Sequence, residues 1–341
     1  MTSTTLSRLV VGVLSATLVV SACSDDPEPQ RAKPKPTPTT SSPTPTPTPT
    51  PKPPALSLLS GRKLPDRRIY AVKIDNTAKS HPQMGVDHAD VVWVEQVEGG
   101  ATRLAAIYST RYPRLVGPVR SARITDIELL RQYGAVGLIY SGSQRKLSDN
   151  LRRSPLKLMS NDASGRGFFR SGRPAPYNVI GQFPALRKRG GKVAKPTKAG
   201  YEFGAAPKGG RRASHVIVRY PFNRIDAHWY GKERRWLLSM DGAPDRGVDG
   251  RRLGPTTFVV QFTQIKRSAY HDVNGANTPR TVTVGKGKAL FFRDHRVYPG
   301  TWKRARQAHT TSYTIRGKKA VFAPGQVWVA LVRRGSPVGV R

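Results

Sequence analysis

Apolar positions in this chain follow two rhythms, and the change between them falls near residue 190. Residues 69–75, 91–97 and 104–109 are strand-like runs, rich in the β-branched and aromatic side chains that suit a pleated, buried surface. Residues 125–133 carry helical spacing and a marked start. Thr125 and Glu128 fit a capping box, Ile124 and Leu129 fit the hydrophobic staple around it, and Gly134 sits where a C-terminal cap glycine belongs. Residues 135–140 read as a short buried strand and residues 144–152 as a second helix. This alternation predicts an α/β domain over residues 56–186, a mixed, partly parallel sheet with helices.

Residues 187–212 are basic and glycine-rich and read as a linker or long surface loop. Beyond them come short β runs at 215–219, 256–262, 281–284, 288–292 and 326–332. Asp241-Gly242, Asp249-Gly250, Asn274-Gly275 and Arg316-Gly317 punctuate them. That pattern predicts a smaller, predominantly β domain over residues 213–336.

The N-terminus is of another kind. Arg8 precedes an apolar run from Leu9 to Val20 and then Ser21-Ala22-Cys23, so residues 1–22 have the form of a secretory signal peptide, too short to be a spanning helix. Val20-Ser21-Ala22-Cys23 resembles a bacterial lipobox. That resemblance implies cleavage before Cys23 and a thioether-linked diacylglycerol on its sulfur; the other reading is ordinary signal cleavage with Cys23 incidental. Residues 23–55 then form a Thr/Pro-rich tether. Alternating Thr-Pro favours an extended polyproline II rod, and at about 3.1 Å per residue thirty residues reach on the order of 90 Å. With two or three acyl chains such as palmitate on Cys23, each buried methylene contributing about 0.8 kcal/mol, the chain is expected to be extracytoplasmic, anchored to the outer face of the bacterial cell membrane.

Composition narrows the choices. A single cysteine among 341 residues excludes a disulfide scaffold and any cysteine-built zinc or iron–sulfur centre. The formal charge is +37, of which the folded part, residues 55–341, keeps +35. Such a field attracts an anionic envelope polymer or lipid head groups. No nucleic acid partner is expected of an exported protein. The competing reading is dispersed, solvated charge, since the basic residues are spread along the chain. The seven histidines are scattered without metal-ligand spacing, so neither a metal nor a cofactor is expected.

Three constellations carry candidate chemistry. Gly117-Pro118-Val119-Arg120-Ser121-Ala122-Arg123 leads into the helix, placing two guanidinium groups beside the positive end of its dipole. Arg103, Arg120, Ser121 and Arg123 are therefore candidate anion-binding residues; the alternative is that the arginines pair with nearby acids. Asp75, Glu95 and Glu98 are the candidate catalytic carboxylates. A glycosidase needs two carboxyl groups, one protonated and one ionised. In a regular strand Glu95 and Glu98 point to opposite faces and converge only if Gly99-Gly100 ends the strand early, so Asp75 with either one is the better pair. The competing reading is an ion network with Arg103, Arg120 and Arg123. Ser141-Gly142-Ser143 is a strand-to-helix turn without nucleophile spacing. Trp93 reads as core, while Trp229, Trp236, Trp302 and Trp328 either fill a β core or stack sugar rings.

Several runs together resemble the YerB-like lipoprotein family, known as domain of unknown function DUF3048. They are Val72-Lys73-Ile74-Asp75-Asn76, His81-Pro82-Gln83, the run 95–100 (EQVEGG), Thr102-Arg103 and the run 117–123 (GPVRSAR). The run 173–178 (RPAPYN) is similar too, with Tyr177 where the family usually has His. Gly300-Thr301-Trp302-Lys303 and the run 324–328 (PGQVW) resemble its C-terminal companion domain. The resemblance implies an envelope lipoprotein with an α/β-containing N-terminal domain and a smaller β-rich one, and it implies no established activity. The leading expectation is a non-catalytic module that binds an anionic wall polymer or acidic envelope partner. The alternative is a hydrolase or transferase acting on cell-wall glycan or a phosphorylated envelope precursor.

Overall fold

The computed structural model describes residues 56–197 and 200–341. The signal peptide, Cys23 and the tether at 23–55 lie outside the described residues.

Three strands form the frame of the site: β1 (Tyr70–Asp75), β2 (Val91–Gln96) and β3 (Thr102–Tyr108). β3 lies between the other two and is antiparallel to both. Nearly every residue of the three is buried, which requires cover on both faces of the sheet. Beyond β1 the sheet continues in parallel through Gly137–Tyr140 and Lys157–Ser160. Beyond β2 it continues through Val327–Arg333, Thr257–Thr263, Gly285–Arg293 and Arg296–Arg304, and the short strands Ser312–Ile315, Lys318–Lys319 and Arg211–Arg212 complete one twelve-stranded sheet. Val327–Arg333 is parallel to both of its neighbours, β2 and Thr257–Thr263. Residues of the 56–186 and 213–336 segments thus share a single sheet.

One face of that sheet carries Tyr70, Val72, Ile74, Val92 and Val94, and packs against Val216, Val218, Ile225, Ala227 and Trp236 of a second, five-stranded sheet. The other face carries Ala71, Trp93 and Ala105. It packs against α1 (Ile124–Leu130) and against Leu147 and Leu151 of the helix Arg145–Arg153. This arrangement corrects the α/β expectation for the N-terminal segment. The parallel pairing is present, but the helices are short, and two of them lie on this face. The opposite face is closed mainly by a sheet drawn from the C-terminal segment, with only the short helix Phe183–Arg189 beside it through Phe183 and Leu186. The segment is sheet-rich.

Smaller differences have local causes. Residues 281–284 are not a strand of their own but join Asn277–Thr281 to Gly285–Arg293. The 187–212 segment begins inside the helix Phe183–Arg189 and supplies two short paired strands, Glu202–Phe203 and Arg211–Arg212. Trp93, Trp236, Trp302 and Trp328 are buried, and half-buried Trp229 leans on Trp236, so the tryptophans fill cores.

Candidate functional site

At the end of β1 and β3 next to α1, a cleft of about 540 Å³ opens to solvent. Asp75, Glu98, Arg103, Arg120, Ser121 and Arg123 all line it. Six of the seven side chains singled out from sequence therefore meet in one place.

The ladder brings them there. Asp75 and Glu95 are each in register with Arg103 on β3, so the three side chains rise from the same face of the sheet. Lys73 lies on that face one pleat deeper. β2 then stops at Gln96, and Gly99 and Gly100 adopt φ of 63° and 79°, a conformation that carries the chain into a short 3₁₀ turn and swings Glu98 towards α1. This is the early strand end that the glycine pair suggested.

The result is two tiers of charge. In the outer tier Arg120 Nε donates to Asp75 Oδ2 at 2.8 Å, while Asp75 Oδ1 accepts from the Thr77 N–H at 2.9 Å and the Thr77 hydroxyl at 2.6 Å. Arg123 grips Glu98 with both ends of its fork, Nε to Oε1 at 2.6 Å and Nη2 to Oε2 at 2.8 Å. The Thr278 hydroxyl also donates to Glu98. Burial pushes the Glu98 carboxyl up, but Arg123, Thr278 and Arg103 outweigh it and hold Glu98 below the usual carboxylate range.

Arg103 is different. It is 7% exposed, and among the described residues its side chain makes one hydrogen bond, from Nη1 to the Ser121 carbonyl at 3.2 Å. Among the described residues it forms no ion pair. Burial first, then the neighbouring charges of Arg123 and Arg120, push it down to about 9. A guanidinium so placed is a poorly compensated buried cation facing a cleft, and an anion would relieve it.

The inner tier corrects one expectation. Glu95 does not reach the cleft. It is fully buried and ion-paired with the Lys73 ammonium, which also meets Asp126 Oδ1 at 2.8 Å. Glu95 therefore pairs with neither Asp75 nor Glu98 across the cleft; a sealed carboxylate cannot meet a ligand. Burial pushes Lys73 down to about 8 despite Asp126.

The helix start is corrected as well. The cap lies two residues before the expected Thr125: Arg123 is the N-cap, and Asp126 Oδ2 accepts its backbone N–H at 2.6 Å. Thr125 and Glu128 instead reach into the C-terminal segment. Thr125 Oγ1 accepts from Thr281 N–H, and Glu128 accepts from the Arg280 guanidinium and the Thr283 N–H and hydroxyl. The Ser121 hydroxyl pairs with Ser141 at 3.4 Å, and Ser143 lies on the cleft wall.

One wall was not legible at all. The hairpin of Ile265–His271 and Asn277–Thr281 brings Tyr270, Asp272 and Thr278 over the cleft, and Tyr177 faces it from the N-terminal segment. Exposed Asp162 and half-buried Asp272 also line it; Asp272 Oδ1 accepts from the backbone N–H of Asn274 and Ala276. The scattered histidines hide another cluster: His215, Asp226 and His228 approach one another on the second sheet, through strand register that linear spacing does not reveal.

The fold and the cleft define a two-segment, β-rich protein with an arginine–carboxylate site shared between its segments. Residues 58–196 match the N-terminal domain, and residues 216–329 the C-terminal domain, of the protein of unknown function DUF3048. The chain belongs to the YerB-like DUF3048 family. A relative from Bacillus subtilis (strain 168), named "Putative lipoprotein YerB", is 26% identical over 294 residues, which span 82% of this chain and 85% of the relative. The crystal structure of YerB protein from Bacillus subtilis superposes with a TM-score of 0.72 at 22% identity, covering 84% of this chain and 99% of that one, and so shares the fold. The relative's name fits a lipid-anchored envelope protein. No helix among the described residues is long and apolar enough to cross a membrane.

Proposed function

We propose that this protein is a non-catalytic envelope lipoprotein, held on the outer face of the membrane through Cys23, whose cleft binds an anionic group of a wall polymer or acidic envelope partner. The observation that carries this reading is Arg103, a nearly buried guanidinium that lines a cleft and has no carboxylate of its own. Each hydrogen bond from such a charged donor contributes about 1.5–3 kcal/mol.

The alternative, a hydrolase or transferase on wall glycan or a phosphorylated precursor, draws support from Asp75 and Glu98 facing the same cleft. Both carboxylates are already engaged by arginines, and Glu98 is held ionised. Acid–base cleavage of a glycoside needs a partner that keeps its proton near neutral pH; Glu98 is held the other way, and both oxygens of Asp75 are already taken by Arg120 and Thr77. Binding ranks first for that reason.

The test is retention of the purified protein on isolated wall material across a salt gradient. Retention that falls steeply with salt and is lost in Arg103→Met supports the proposal; retention indifferent to both overturns it. Soluble fragments released by the unmutated protein but not by Asp75→Asn would establish the alternative.

A further inference from the structure

On the second sheet, remote in sequence from the cleft residues, the strands His215–Arg219 and Arg224–Tyr230 pair antiparallel with His215 directly opposite His228. Asp226 precedes His228 by two residues and rises from the same face. His215 Nε2 and Asp226 Oδ1 are 2.9 Å apart, and Arg224 Nε holds the other carboxylate oxygen at 2.6 Å. The two imidazoles stack with centroids 3.8 Å apart. One nitrogen from each and one Asp226 oxygen all lie within 4.8 Å of one another. We infer that His215, Asp226 and His228 form a site for a divalent transition metal of the imidazole-binding class, with zinc(II) the occupant of choice.

The donor set is the argument. Two imidazole nitrogens and one carboxylate oxygen suit zinc, and a fourth position towards solvent remains for water. Bonds of about 2.1 Å in a tetrahedron put ligand atoms roughly 3.4 Å apart, so His228 must close in on the other two while the His215–Asp226 pair, at 2.9 Å, opens slightly. His228 is exposed and free to turn; His215 and Asp226 are the fixed members. Arg224 holds Oδ2 of Asp226 and leaves Oδ1 on the side of His215, the role an outer hydrogen bond plays for a ligating carboxylate.

A plain His215–Asp226 clasp would explain one imidazole and leave His228, which makes no side-chain hydrogen bond among the described residues, unexplained. The cations facing the cluster, Arg224 and Arg252, work against a divalent ion, and the Asp226 carboxylate offsets them.

Calorimetric titration of the purified, metal-free protein with zinc(II) tests the inference. One saturable site per chain is expected. Its affinity should drop at least about tenfold in His228→Ala and in Asp226→Asn. Because His228 is exposed, His228→Ala should keep the parent circular dichroism and melting temperature. Absence of a one-to-one site for zinc(II), copper(II) and nickel(II), or binding undiminished in His228→Ala, overturns it.

Discussion

Arg103 stands directly opposite Asp75 in the β1–β3 ladder, yet Asp75 is bound by Arg120 and Arg103 is left without a carboxylate. Asp75 is held from the side by an arginine of the loop before α1, and the Thr77 N–H and hydroxyl occupy its second oxygen. The strand partner is thus displaced from the pairing that register alone would give it.

Arg103→Met should fold, with unliganded stability unchanged or raised by up to about 2 kcal/mol, because a poorly compensated buried cation is removed. Inorganic phosphate should raise the melting temperature of the parent, by the equivalent of about 2.7 kcal/mol at a hundredfold excess over Kd, and leave Arg103→Met unmoved. Equal phosphate shifts in both proteins would show that the anion binds elsewhere.

Glu98→Gln breaks the two-pronged contact with Arg123 and should cost about 3 kcal/mol at neutral pH. Glu98 is depressed from 4.5 in the folded protein, so the unfolded chain takes up its proton first as acid is added. Its contribution is whole above about pH 4.5 and disappears as pH falls through the folded value. Urea titrations from pH 7 to pH 3 should show a flatter decline in Glu98→Gln than in the parent. The slope will not vanish, because Glu128 is depressed as well, burial being outweighed there by Arg280 and Thr283.

Lys73→Met removes the shared cation between Glu95 and Asp126 and should destabilise the fold by about 3–5 kcal/mol. Combining it with Glu95→Gln should cost less than the sum of the two single changes, since one charge no longer lies unanswered. Strict additivity in chemical denaturation would show that the inner tier is not a coupled unit.

Trp328→Ala empties a fully buried site in the strand shared by both segments and should cost about 3–5 kcal/mol. Amide exchange should quicken in β2 and β3 as well as in Thr257–Thr263. An effect confined to residues after 213 would mean that the halves of the sheet open independently.

How much of this could be read from the chain differs residue by residue. β1, β2 and β3 were legible because Val72, Val92 and Ile107 sit in runs that have no other use. Arg120 and Arg123 were legible as a pair because Gly117-Pro118 and the helix start fix where the chain goes. Glu95 was misplaced because burial depth is set by Lys73, a neighbour across two strands that looks polar and exposed in sequence. Thr125 and Glu128 have the spacing of a cap, but backbone donors of the C-terminal segment claim both, and Asp126 caps in their stead. The cap spacing was real and its partners were distant. His215 and His228 lie thirteen positions apart and meet only through hairpin register.

The position of Val327–Arg333 has an outcome for biogenesis. This strand follows every other strand of its sheet in chain order, yet it fills the seam between β2 and Thr257–Thr263. Until it arrives, Val91 to Val94 and Phe258 to Phe262 present open backbone edges, the kind of surface that templates aggregation. A chain cut before Val327 carries two such edges, and this one strand conceals both in one stroke.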